Sequence, residues 1–167
     1  LTGRCHEPRV RSHSPGVKPI VTLTTDFGAQ DWFVGVMKGV ILSRAPAASI
    51  VDLTHDIPPG DVRAAAFVLR SSLDCFPAGT IHVVVVDPGV GSDRRALGSR
   101  TDSAVLLGPD NGVLSWALPE ASGWVARQLT NSRLWRGSPS ATFHGRDIFA
   151  PVAGFLACSG RFERIGD

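Results

Sequence analysis

The chain has 167 residues, enough for one domain with a core of its own, and its 43% hydrophobic and 19% charged residues are globular proportions that exclude general disorder. Its net charge of +2 sits largely in Arg4, Arg9, Arg11 and Lys18 against Glu7, and no structured stretch interleaves basic residues with aromatics, so composition argues against a nucleic-acid partner. No run approaches about 18 consecutive apolar residues, which excludes a membrane-spanning helix.

Residues 1–18 carry Gly3, Pro8, Pro15 and Gly16 among scattered charges without periodicity, and read as a disordered leader before a domain over 19–167. The leader lacks the apolar core of a secretory signal. Cys5, Cys75 and Cys158 have no CxxC spacing and leave one thiol unpaired in any disulfide scheme, which fits a reducing compartment. The expected location is the cytoplasm.

The β-branched run from Ile20 to Thr24 predicts a first strand that stops at Thr25-Asp26-Phe27-Gly28. Asp31 is a plausible N-cap for a helix carrying Phe33, Val36, Met37, Val40 and Ile41 at helical spacing, which Pro46 ends. Ser49 to Leu53 is a second strand, closing in Thr54-His55-Asp56. Pro58-Pro59-Gly60-Asp61 opens a second helix with Val62, Ala65, Ala66, Leu69 and Leu73 along one face.

Thr80 to Arg95, TIHVVVVDPGVGSDRR, is the most informative stretch. Its run from Ile81 to Val86, broken only by His82, predicts a central strand buried on both faces. Beyond it, Ala104 to Leu107 and Val125 to Gln128 read as shorter strands, and Thr130 to Ser140 as a loop. A last helix runs from Asp147 through Phe149 and Val152 to Leu156. Strands alternating with helices at these lengths predict an α/β fold with a mostly parallel central sheet covered on both sides.

In such a sheet the loops after the strands share one edge, where ligands bind. Three of them begin with carboxylates: Asp26, the Asp52 to Asp56 group, and Asp87. Asp87 and Arg94, seven residues apart on a glycine-containing turn, can face each other; the alternative is a strand-capping Asp with surface arginines. His144, in Thr142-Phe143-His144-Gly145-Arg146-Asp147, adds a group that exchanges protons near neutral pH, with Asp and Arg neighbours to fix its tautomer or charge. A phosphate at DPGVG is disfavoured, because the loop has no lysine and Asp87 would repel it. Carboxylates suit a diol or an ammonium group better. Asp52 and Asp56 read as structural, and Trp32, Trp116, Trp124 and Trp135 as core or interface.

The motifs TDFGAQDWFVGVMKGVI, DLTHDIPPGDVRAAAFVL, FPAGTIHVVVVDPGVGSDRR, GPDNG and TFHGRDIFAP, in this order over about residues 19 to 165, resemble the S-adenosylmethionine hydrolase family, the SAM hydroxide adenosyltransferases. SAM-dependent fluorinases and chlorinases are its relatives. The resemblance implies attack of water on the ribose 5′ carbon of S-adenosyl-L-methionine, giving adenosine and L-methionine, with no metal or cofactor. It implies that Asp87, Arg94 and His144 are the catalytic triad, that Asp26 binds the ribose hydroxyls and that Asp31 contacts the methionine end. Asn111 either shapes the pocket or only makes its Asn-Gly turn.

Family members continue into a smaller β-rich domain and form trimers whose sites lie between the first domain of one chain and the second of its neighbour. Residues 19–167 correspond to the first domain, so the adenine-binding residues are expected outside this sequence. Two other readings are a truncated, non-catalytic adenosyl-binding domain and a halogenase. The halogenating relatives replace the triad, and the fluorinating member has serine where Gly145 stands here.

Overall fold

Strand β1 (Ile20–Thr25) and strand β3 (Thr80–Val85) lie side by side because both are β-branched runs with two faces to bury, and they pair in parallel with Val21 beside Ile81 and Thr25 beside Val85. The computed structural model describes residues 18–120, 123–158 and 160–167. Except for Lys18, the expected leader lies outside the described residues. Strand β2 (Ser49–Thr54) adds to the other side of β1, also parallel.

Because β2 and β3 flank β1 on opposite sides, the two intervening helices fall on opposite faces of the sheet. Helix α1 (Phe33–Arg44) buries Val34, Met37 and Ile41 against Val21, Leu23, Ile81 and Val83, while Phe33, Val36 and Val40 pack on the rim of that core. The Asp31 cap is not formed: Trp32 holds the N-cap position without a side-chain hydrogen bond. Helix α2 (Val62–Ser72) packs Ala65 and Leu69 on the other face, against Val84, Val86 and Leu106. Its start follows expectation, since the Asp61 carboxylate accepts from Ala64 N at 2.9 Å.

The far half of the sheet departs from the simple alternation. Strand β4 (Ala96–Thr101), which had no sequence signal, is inserted antiparallel between β5 (Ala104–Pro109) and β6 (Trp124–Gln128), giving the order β2-β1-β3-β5-β4-β6. The sequence ALGSRT lacks the apolar alternation of a half-buried strand. Close packing is part of the reason: a Cβ on Gly98 would stand 2.7 Å from Ile165 Cδ1 and 3.1 Å from Leu107 Cδ2, so a side chain there would have to displace the ends of both.

The last helix begins earlier than its sequence suggested. Gly145–Phe149 form a π turn that runs into α3 (Ala150–Ala157), whose small residues let it lie close to α1. At Gly154 a Cβ would stand 3.0 Å from both Ile41 O and Arg44 Cβ. Among the tryptophans, Trp135 packs on the core, but Trp32, Trp116 and Trp124 are 57%, 47% and 41% exposed and are not core residues.

His82 is the one titratable group in the middle of β3. It is 1% exposed, its Nδ1 lies 2.8 Å from Thr22 Oγ1, and it meets the Phe76 ring edge-on. Burial pushes its pKa from 6.5 down to about 4. The unfolded chain therefore takes up this proton first, and the contribution of neutral His82 to stability is complete above pH 6.5 and lost as pH falls towards 4. At 1.36 kcal/mol per unit this amounts to about 3 kcal/mol. Urea denaturation of wild type and His82→Leu between pH 7 and 4 is expected to give a smaller loss in the variant by about that amount.

Candidate active site

Parallel pairing of β1 with β3 at the point where the connections diverge to opposite sides sets Asp26 and Asp87 at neighbouring strand ends. The two carboxylates line one small cleft of about 50 Å3 with Phe27, Phe143, His144 and Gly145. A volume of this size admits water or one reacting end of a ligand, well below the several hundred Å3 that enclose a whole small molecule. A larger groove of about 480 Å3, lined by Leu97, Leu114, Leu118, Trp124 and Arg127, shares no lining residue with the cleft.

Asp87 and Arg94 face each other as their spacing suggested, with side chains 5% and 9% exposed. Arg94 Nε donates to Asp87 Oδ1 at 2.9 Å and Arg94 Nη2 donates to Asp87 Oδ2, a two-point clamp. The guanidinium lies 5.8 Å from the centre of the Phe149 ring. Arg95 instead points to the surface and pairs with Asp110 at 2.6 Å.

Arg94 Nη2 also reaches His144 Nδ1 at 2.6 Å. An arginine N–H only donates, so this contact assigns Nδ1 as acceptor and puts the proton of the neutral ring on Nε2. Burial, and then the charge of Arg94, lower the His144 pKa against the opposing pull of Asp87 and Asp147. The ring is accordingly neutral at neutral pH. Sequence neighbours had been expected to set its tautomer, but Arg146 and Asp147 do other work. Arg146 donates from Nε to Asp147 Oδ1 at 2.6 Å and from Nη2 to Oδ2 at 3.0 Å, and Ser140 N donates to the same Oδ2 at 2.9 Å. These bonds, outweighing burial, hold the Asp147 carboxyl below its usual range and fasten the loop that presents His144.

Two loops distant in sequence must meet for this chain to form. Their contact point is Gly91, with φ of +80°, where a Cβ would lie 2.4 Å from Ala141 O. Of the two glycines in the turn that joins Asp87 to Arg94, only Gly91 has positive φ.

The remaining candidates divide. Asp26 is half-buried, and its Oδ2 accepts from Gly60 N at 2.8 Å. Asp31 is exposed, outside the cleft, next to an aromatic group in which Trp32 stacks on Phe33 at 4.6 Å and Phe143 meets Phe27 and Phe33 edge-on. Asn111 commits both ends of its amide to backbone, donating to Val86 O at 2.9 Å and accepting from Val113 N at 3.1 Å. It thus ties the chain just after β3 to the turn after β5 and does not line the cleft. Among the described residues, no three His, Cys, Asp or Glu side chains are grouped to hold a metal, and no helix is long and apolar enough to cross a membrane.

Residues 21–166 match the family described as SAM hydroxide adenosyltransferase N-terminal domain. The (R)-S-adenosyl-L-methionine hydrolase of Salinispora arenicola is 48% identical over 149 residues, which are 89% of this chain and 57% of that protein. The crystal structure of an uncharacterized conserved protein from Thermotoga maritima superposes with a TM-score of 0.81 at 46% identity, covering 89% of this chain and 57% of that one. A fluorinase from an Actinoplanes species is more distant, at 25% over 171 residues, 89% of this chain and 57% of that protein. The chain thus spans a little over half the length of the relatives it matches.

Proposed function

The chain belongs to the SAM hydroxide adenosyltransferase family, and from that premise we propose that it hydrolyses S-adenosyl-L-methionine to adenosine and L-methionine. The observation that carries this reading is the half-buried Asp87–Arg94–His144 hydrogen-bond chain at a water-sized cleft shared with Asp26.

In this reading the water oxygen attacks the ribose 5′ carbon as the carbon–sulfur bond breaks, and that bond's electron pair stays on sulfur. The sulfonium departs as a neutral thioether, so the leaving group needs no acid and the reaction no cofactor. What the site must supply is a placed and polarised water. His144 Nε2–H donates to a lone pair of the water and orients it. Asp87, aimed by Arg94, takes its proton and passes it to solvent. As the carbon–oxygen bond forms, the attacking oxygen becomes far more acidic than a carboxylic acid, so even an arginine-clamped carboxylate suffices as base.

Asp26 keeps an oxygen free of the Gly60 bond for the ribose diol, and exposed Asp31 meets the methionine ammonium across the aromatic group. Asn111 acts indirectly, by fixing the chain that leads into Asp87. Gly145 supports hydrolysis over halogenation: a Cβ there would stand 3.1 Å from Met37 Sδ and 3.2 Å from Phe143 Cε2, so a serine requires both neighbours to yield. A cytoplasmic homotrimer completes the proposal; that part rests on the family resemblance, and light scattering tests the assembly.

The cleft volume favours a second reading, adenosyl-ligand binding without turnover, because about 50 Å3 leaves most of the substrate uncovered. Mass spectrometry of adenosine and methionine after incubation with S-adenosyl-L-methionine separates the two. Hydrolysis predicts equimolar products that Asp87→Ala abolishes. Folded protein that binds the ligand and yields neither product belongs to the second reading.

A further inference from the structure

A chain of polar contacts that the proposed reaction does not use runs from the surface to the Asp26 loop. Lys38 Nζ, on α1, donates to Asp52 Oδ2 at 2.6 Å, and Asp52 Oδ1 lies 3.0 Å from His55 Nε2. His55 is 9% exposed, and its Nδ1 lies 2.9 Å from Thr25 Oγ1. The Thr25 hydroxyl in turn accepts from Phe27 N at 3.3 Å.

The direction of each bond follows from its ends. Burial would raise the Asp52 carboxyl, but the bond from Lys38 and the nearby His55 ring outweigh it and hold the acid below its ordinary value. An ionised Asp52 3.0 Å from Nε2 favours the proton on that nitrogen although the contact is not aligned as a hydrogen bond, and this leaves Nδ1 to accept from the Thr25 hydroxyl. This Asp-His-Thr order resembles that of a hydrolytic triad, yet Thr25 is fully buried and has no access to a substrate. The chain's product is therefore geometry. His55 grips the loop twice, because its own carbonyl also accepts from Gly28 N at 2.8 Å. Asp26 sits between the two grips. Its remaining anchor, Gly60 N, belongs to the same segment a few residues after His55.

We propose that His55, held by Asp52 and Lys38, is a positioning residue that fixes the Asp26 carboxylate at the cleft through Thr25 and Gly28. The proposal rests on the function stated above for its catalytic consequence, and on the structure alone for its mechanical one. His55→Phe keeps an aromatic ring and removes both the Thr25 bond and the Asp52 contact. His55→Asn restores an acceptor near the Nδ1 position and so the bond to Thr25, without the contact to Asp52.

The test joins two readouts on the full chain. Hydrogen exchange is expected to speed up about tenfold or more at the Phe27 and Gly28 amides in His55→Phe, with β3 amides unchanged, and to return towards wild type in His55→Asn. In steady-state kinetics with S-adenosyl-L-methionine, His55→Phe raises KM about tenfold with kcat within a few fold, and His55→Asn recovers most of that loss. Unchanged exchange at the two amides, or an unchanged KM in an active His55→Phe protein, overturns the proposal. A wild type that turns nothing over overturns the hydrolase reading instead, and the exchange result alone then decides the role of His55.

Discussion

Arg94→Met is expected to cut the turnover of S-adenosyl-L-methionine by about a hundred- to ten-thousand-fold, the range for losing an acid–base device. Arg94 serves two partners at once: both Asp87 oxygens through Nε and Nη2, and His144 Nδ1 through Nη2. Without it the Asp87 carboxylate, 5% exposed, is left without its counter-charge, and His144 loses the donor that orients its ring. Breaking such a buried pair costs about 3–5 kcal/mol. The fold is therefore expected to loosen along with the loss of activity, and the two effects need separating.

Arg94→Lys does so. It restores the charge, but one compact ammonium group cannot form the two-point clamp on Asp87 and also reach His144. Its melting temperature should return most of the way to wild type while turnover stays well below it. Product formation and thermal unfolding, measured on the same preparations, check this. Wild-type turnover in a folded Arg94→Met protein would remove Arg94 and its clamp from the proposed mechanism.

Gly91→Ala carries the second large effect, although Gly91 touches no reacting group. Its backbone is left-handed at φ of +80°, which costs a residue with a Cβ about 1–2 kcal/mol. The larger problem is Ala141 O, 2.4 Å from where that Cβ would be. Both atoms are fixed to backbone, so the loops carrying Arg94 and His144 must part by roughly 1 Å, a misplacement worth about a hundredfold in rate. The control is Gly123→Ala: φ there is +99°, the nearest side-chain atom is Asp102 Oδ2 at 3.8 Å, and the site adjoins the opposite edge of the sheet. Both variants should lose comparable stability to backbone strain, but only Gly91→Ala should lose turnover. Equal activity in the two would mean that the loops absorb the clash elsewhere.

Much of the molecule follows from local patterns. The Ile81 to Val86 run marks β3 as buried on both faces, Asp61 caps α2, and the parallel alternation brings Asp26 and Asp87 to one edge. Burial periodicity, capping and strand direction act over a few residues or through chain alternation, and a sequence displays them directly. The seven-residue spacing of Asp87 and Arg94 belongs to the same class, since one turn joins them.

What the tertiary structure decided concerns partners far apart in the chain. Strand β4 forms where Gly98 leaves room for Ile165, a reason invisible in ALGSRT. Asp31 lies just outside α1 and does not cap it, while His144 takes its tautomer from Arg94, fifty residues away, in preference to the adjacent Arg146 and Asp147. Gly91 and His55 likewise owe their importance to Ala141 and Thr25. A residue's type states which bonds it is able to make; which partner it finds is settled only when the loops pack and buried polar groups take the partners within reach.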